Sequence, residues 1–249
     1  MSDFIASEDR AVLERHGLAS FEALWALKLD AVDEPNVERG GWSSVCRLEL
    51  DGAAYYLKRQ SNHLTRSLRR PMGEPTFARE FRNIRHYQQL GIPALQAAFF
   101  AERRAPGERR AILLSRALDG WTDLYRLLDQ WSELAPAKRQ AVLHAVARLA
   151  AHLHGQGQMH GCFYPKHIFL RAAGEDYQAC LIDLEKTRPL WFGKRDRVKD
   201  LEPLLRRTAR SWSKAEMGRF LADYLGGGVD VEQWSRHLVA RLQDKASRR

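Results

Sequence analysis

Apolar and polar positions alternate over residues 45–50 (Val-Cys-Arg-Leu-Glu-Leu), which predicts a strand. Asp51-Gly52 then predicts a tight hairpin turn, with the returning strand over 53–57. Upstream, 20–29 reads as a short helix or strand, followed by a polar stretch over 30–39 that contains Pro35. Phe77, Phe81, Ile84 and Tyr87 recur at helical spacing and predict a helix over 76–90, stopped by Gly91-Ile92-Pro93. Two more strands follow near 94–101 and 110–115. Beyond them the pattern turns helical: a short helix over 123–130, then a long one opened by Pro136 with Val142, Val146, Leu149 and Leu153 on one face. Short strands at 168–171 and 179–184 join at a Gly174 turn. A helix over 197–207 follows, and Ser213 with Glu216 predicts a capping box ahead of Met217, Phe220, Leu221 and Tyr224. A last helix over 231–243 ends in a tail, 245–249, that is expected to fray. The order predicts an α+β chain: a β-rich part with one main helix over 1–117, then a helical part with a two-strand insert over 118–249.

Composition narrows the class. With 45% apolar and 29% charged residues the chain has the makings of a folded protein. No run of eighteen apolar residues occurs, and 1–15 is acidic and amphipathic rather than a secretory leader, so a cytosolic protein is expected. Three cysteines (Cys46, Cys162, Cys180) have neither a paired framework nor metal-ligand spacing. The net charge of +9 favours anionic partners. Five of the positive charges fall within 58–70, with no acidic residue between Asp51 and Glu74, which reads on its own as a solvated basic loop. Nucleic acid is disfavoured as the partner, because no aromatic residue is interleaved there for stacking.

Chemistry enters through features that fall in a particular order. Gly40 and Gly41, just before a strand, suit a backbone that closes over phosphates, although a Gly-Gly pair alone is more often a plain turn. Lys58 closes the strand after the hairpin and on its own reads as a solvated strand end. Glu80 falls inside the apolar face of its helix, so it needs a partner, and Lys58 on the adjacent sheet is the natural one. Downstream, His160-Gly-Cys162 follows the long helix, and Asp183 ends an apolar strand twenty-one residues after Cys162. Glycine loop, strand lysine, helix glutamate, a histidine-led loop and a late aspartate make the order of a protein-kinase-like site.

The phrases GCFYPKHIFLR (161–171), LIDLEKTRPL (181–190), RDRVKDLEPLLRR (195–207) and FAREFRNI (77–84) resemble the bacterial lipopolysaccharide core kinases, the WaaP and Kdo kinase group, and most closely their InaA branch. That resemblance implies a bilobal protein-kinase-like fold and, for active members, ATP-dependent phosphorylation of a heptose or Kdo hydroxyl of the inner core. Gly40 and Gly41 would cover the phosphates of ATP, Lys58 held by Glu80 would contact them, and Asp183 with His167 would hold Mg²⁺ or Mn²⁺. His160 would orient the loop, Lys166 would assist transfer, and Cys162 would lie nearest the acceptor. The backbone of 111–118 would cross between lobes and pair with adenine. Asp200 resembles the aspartate that buttresses the catalytic loop, against the alternative of a solvated helix charge. The implied partner is an anionic glycolipid, the lipopolysaccharide core, at the inner leaflet, with 58–70 docking its headgroups and the protein peripheral at that membrane.

Two positions depart from the pattern. His167 stands where the second metal ligand is usually Asn, and imidazole is a poor ligand for Mg²⁺. Cys162 stands where active members carry the aspartate that accepts the sugar proton, and a thiol is a poor substitute. Glu185 offers a nearby carboxylate. A kinase and a nucleotide-binding pseudokinase scaffold therefore both remain open.

Overall fold

The structure, a computed structural model, describes residues 3–37, 40–67, 70–227 and 231–246. Arg69 of the basic stretch, the end of the polar stretch over 30–39 and the last three residues of the tail lie outside these. Two compact units divide the chain, 1–87 with 95–119 and 88–94 with 120–249.

The first unit begins with β1 (Phe4–Ile5) and two short helices, α1 (Ser7–Arg15) and α2 (Phe21–Ala26), the second capped by Ser20 accepting the Ala23 N–H. The predicted hairpin is β2 (Trp42–Leu50) and β3 (Ala53–Ser61), joined by Asp51 and Gly52 at φ 51° and 78°, the double left-handed turn that matches strand twist. A second hairpin, β4 (Leu64–Ser67) and β5 (Arg70–Pro75), leads into α3 (Thr76–Gln89); β6 (Ala97–Ala105) and β7 (Glu108–Arg116) complete the unit. Five strands form one antiparallel sheet in the order β1-β6-β7-β3-β2, and β4 and β5 pair with each other. One face, carrying Leu48, Leu50, Tyr55, Leu57, Phe99, Ile112 and Leu114, packs on Leu13, Phe21 and Leu24 of α1 and α2. On α3, Phe81 stacks on Phe100 with ring centroids 4.3 Å apart.

Three expectations change here. The strand bearing Lys58 runs on to Ser61, so the lysine lies inside the sheet, paired with Val45 on one side and Leu113 on the other. The described residues of the basic stretch are mostly strand rather than a solvated loop, and Arg59 turns inward to donate to the carbonyls of Trp25 (3.0 Å) and Leu27 (2.6 Å). Residues 111–116 are the C-terminal part of β7, laddered to β3 and β6, and Ala117 N–H donates to Ala54 O, so the backbone of 111–117 is engaged in the sheet rather than in a free crossing segment.

The second unit is built around α5 (Pro136–Gly155), where burial on several sides (Val142, Leu143, Val146, Leu149, Ala150, Leu153) marks a central helix. Before it come β8 (Thr122–Asp123) and α4 (Leu124–Asp129), the latter capped by Asp123. After it, β9 (Gln158–Met159) leads to the antiparallel pair β10 (Ile168–Ala173) and β11 (Asp176–Leu181), and β12 (Arg188–Pro189) returns to pair with β9. Helices α6 (Lys194–Thr208), α7 (Lys214–Leu225) and α8 (Val231–Ala246) follow, and the predicted Ser213–Glu216 capping box is present. Residues 88–94 belong to this unit: Leu181 N–H donates to Pro93 O, and Gly91 O bonds the His152 ring.

Candidate active site

In the first unit the period of two along β3 sends Leu57 into the α1/α2 core and Lys58 to the opposite face, toward α3. Lys58 Nζ donates to Glu80 Oε1 at 2.6 Å, and Glu80 is only 2% exposed. The register that permits this is held by Gln60, fully buried on the same side of β3. Its amide donates to His63 O (2.6 Å), and its carbonyl accepts the Phe77 N–H (2.8 Å) at the start of α3. Arg82 grips the buried Glu74 with two bonds at 2.9 and 2.8 Å, fixing the same helix end. Gly40 adopts φ 74°, and a Cβ on Gly41 would lie 2.2 Å from Ser61 O, so Gly41 is required by the close approach of its own hairpin. That approach is a structural demand on Gly41.

In the second unit the loop 160–167 is suspended from Asp200 of α6, which is 1% exposed. Its carboxylate accepts the N–H groups of His160 and Gly161, both at 2.8 Å, and faces His154 Nε2 of α5 at 3.1 Å. This is the buttress that the resemblance implied; it is no solvated helix charge. His154, in turn, meets Tyr224 OH at 2.7 Å, a buried link that the residue pattern did not single out although a histidine on the apolar face of α5 was there to be noticed.

The His160 ring spans the site: Nδ1 accepts the Cys162 N–H (3.2 Å), which leaves Nε2 to donate to Ile182 O (2.9 Å), just before Asp183. His167 Nδ1 donates to Cys162 O at 2.9 Å, and its Nε2 lies 3.2 Å from Asp183 Oδ2. Burial is the main influence that lowers His167, to about 4, so the ring is neutral and turns a lone pair toward the carboxylate. Strand β11 ends at Leu181, three residues earlier than expected. Asp183 therefore sits beyond it in the left-handed region (φ 59°, ψ 62°), a conformation non-glycine residues occupy at a cost.

Cys162 is 5% exposed, and burial pushes its thiol up, so it is protonated and a poor proton acceptor. Gly161, at φ 78°, would place a Cβ 2.6 Å from Lys186 O. Lys166 is exposed on the 3₁₀ turn Pro165–His167, apart from this hydrogen-bonded set, and Glu185 is half-buried in the turn after Asp183. The three cysteines are free and buried.

An imidazole nitrogen and a carboxylate oxygen facing each other at 3.2 Å suit a divalent cation. Among the described residues no cluster of three or more His, Cys, Asp or Glu is placed to hold a metal. Two protein donors fit an ion completed by phosphate oxygens and water, the usual arrangement where nucleotide brings the metal. The imidazole makes the pair more accommodating to Mn²⁺ than an all-oxygen set would be.

Comparison with known proteins decides the relationship. The model of the lipopolysaccharide kinase (Kdo/WaaP) family matches residues 22–224, most of the chain. The chain belongs to that family. It is 35% identical over 170 residues to Protein InaA of Escherichia coli, covering 68% of this chain and 78% of InaA, in keeping with the InaA branch read from the sequence. It is 25% identical over 262 aligned residues to the lipopolysaccharide core heptose(I) kinase WaaP of Pseudomonas aeruginosa, covering 94% and 93% of the two chains. The solved structure of WaaP in complex with acyl carrier protein superposes with a TM-score of 0.74 over 100% of this chain and 99% of that one, at 23% identity. The fold is thus the protein-kinase-like fold of this family.

Proposed function

We propose that this chain is an ATP-dependent kinase that phosphorylates a sugar hydroxyl, on heptose or Kdo, of the lipopolysaccharide inner core at the cytoplasmic face of the inner membrane. The observation that carries the reading is the Lys58–Glu80 pair. Desolvating a lysine against a buried carboxylate is a poor way to stabilise a sheet, since an apolar pair of similar volume would do as well or better. It is the way to present an ammonium, rigidly, to nucleotide phosphates.

Within this reading Lys58 takes the phosphates, Gly40 and Gly41 bring backbone to them, and Asp183 with His167 holds the divalent ion. Bound there, the ion would offset charge on the phosphoryl oxygens. Asp200 fixes the loop backbone and His160 ties it to Ile182, which places Cys162 beside the acceptor. Transfer forms a bond from the acceptor oxygen to the γ-phosphorus and breaks that phosphorus's bond to the ADP oxygen; the hydroxyl proton must leave. A protonated thiol cannot take that proton, so the role is assigned to Glu185, a carboxylate two residues beyond Asp183 in sequence. Turnover that survives Glu185→Gln would remove it from this role.

Thermal shift with ATP, with and without Mg²⁺ or Mn²⁺, tests the reading. Nucleotide at about 100 times its Kd stabilises by roughly 2.7 kcal/mol. A metal-dependent shift abolished by Asp183→Ala is expected, and no shift under any condition would defeat the proposal. The buried thiol at Cys162 favours one second reading, a nucleotide-binding pseudokinase scaffold. Cys162→Asp separates the two, because a positioned base is worth about 10²–10⁴-fold. A gain in phosphorylation of a core acceptor supports the kinase, and no gain supports the scaffold.

A further inference from the structure

Between Lys186 and Lys199 the second unit presents a surface that phosphoryl transfer leaves without a task. Trp191 and Phe192 are adjacent and expose 65% and 61% of their surface, where apolar rings of this size ordinarily find cover. The turn that carries them is built, not slack. Buried Asp196 accepts the Trp191 N–H at 2.8 Å and the Phe192 N–H at 3.2 Å while holding both terminal nitrogens of Arg188 at 2.9 Å. On one side β12 pairs with β9, which runs into His160, and Leu190 N–H donates to Gly157 O at 2.8 Å. On the other side α6 begins, the helix that supplies Asp200. The two rings are therefore held outward at a fixed place relative to loop 160–167.

Their surroundings select the partner. Six basic residues lie in this segment (Lys186, Arg188, Lys194, Arg195, Arg197, Lys199) against one acid, Asp196, already spent on Arg188. The Arg188 guanidinium sits 4.5 Å from the Trp191 ring centre and that of Arg195 5.6 Å from Phe192, so cations rim the aromatic tip. Rings of this kind settle at the boundary between headgroups and acyl chains, and a surrounding rim of cations meets lipid phosphates. Among the described residues no helix is long and apolar enough to cross a membrane, so contact of this kind would be peripheral.

We infer that the 188–197 turn docks on an anionic bilayer, with Trp191 and Phe192 entering the interface and Lys194 and Arg195 on lipid phosphates. In this way a membrane-held acceptor is brought to loop 160–167. The last step rests on the kinase reading; the docking does not, and it is tested without nucleotide. The protein is sedimented with phosphatidylcholine vesicles with and without phosphatidylglycerol. Wild type is expected to partition onto the anionic vesicles and to be released by salt. Trp191→Ser with Phe192→Ser, and separately Lys194→Glu with Arg195→Glu, should each weaken partitioning at least ten-fold, with an unchanged melting temperature showing that the fold is intact. Failure of wild type to bind any vesicle would overturn the inference and hand the aromatic pair to a protein partner. Binding undiminished by the aromatic double substitution, or equal on uncharged vesicles, would overturn it as well.

Discussion

Replacing Asp200 by alanine tests how the loop is held. The carboxylate accepts two backbone N–H groups at 2.8 Å and faces His154 Nε2 at 3.1 Å, in an environment that water does not reach. Hydrogen bonds to a charged group contribute about 1.5–3 kcal/mol each, and buried donors left without an acceptor forfeit their solvation as well. The three are one network and do not add, so a loss of about 3–5 kcal/mol is expected. For a chain of this size each kcal/mol moves the melting temperature by about 2–4 °C, which puts Asp200→Ala on the order of 10 °C below wild type. Asp200→Asn should lose about half as much, because its oxygen can accept one N–H while its amino group is turned against the other. Thermal melts followed by circular dichroism, with urea midpoints as a second measure, read both variants. If Asp200→Ala melts with wild type, the loop does not hang from this carboxylate.

Two further substitutions probe the other ion pairs. Lys58→Met removes the ammonium from buried Glu80 and should cost about 3–5 kcal/mol, whereas adding Glu80→Leu should restore most of the stability without restoring any ATP-induced shift; urea midpoints and thermal shift check both, and a double variant that still responds to ATP would refute the pairing's purpose. Asp196 is held well below the usual carboxylate range by Arg188 and by the Trp191 and Phe192 N–H groups. A folded pKa below the unfolded value of about 3.9 gives stability that is complete above that value and lost as pH falls beneath it. The melting-temperature gap between wild type and Asp196→Asn should therefore be full at neutral pH and close progressively below about pH 4; a gap that does not change with pH would refute it.

What the sequence revealed and what it hid divide along a physical line. The Asp51-Gly52 turn was legible because only left-handed backbone closes a two-residue hairpin. Glu80 was legible because a carboxylate in an apolar stripe must be answered. The extension of β3 was hidden because Lys58 and Gln60 are polar yet face inward, and their partners, Glu80 and the Phe77 N–H, come from another element. The strand near 110–115 was legible from its apolar run, but only tertiary pairing shows that both its backbone edges are taken. The N-terminal acidic stretch gave no sign that Leu13 would be fully buried against the sheet. At the loop, the spacing pointed to His160 and Asp183, whereas the left-handed backbone of Asp183 and the tie from His154 to Asp200 arise only in the folded chain.

The hairpin turn also sets a parity. With Leu50 paired to Ala53, every odd step along β3 faces α1 and α2 and every even step faces α3. One residue inserted between Ala53 and Leu57, with the turn pairs kept, would move Leu57 into the place of Lys58 and Lys58 into that of Arg59, turning the ammonium to the α1 and α2 face and offering Glu80 a methyl group. Two inserted residues would return both side chains to their faces. The chain can thus vary in length here only by even numbers, and the chemistry of Lys58 is guarded by a count that begins five residues away.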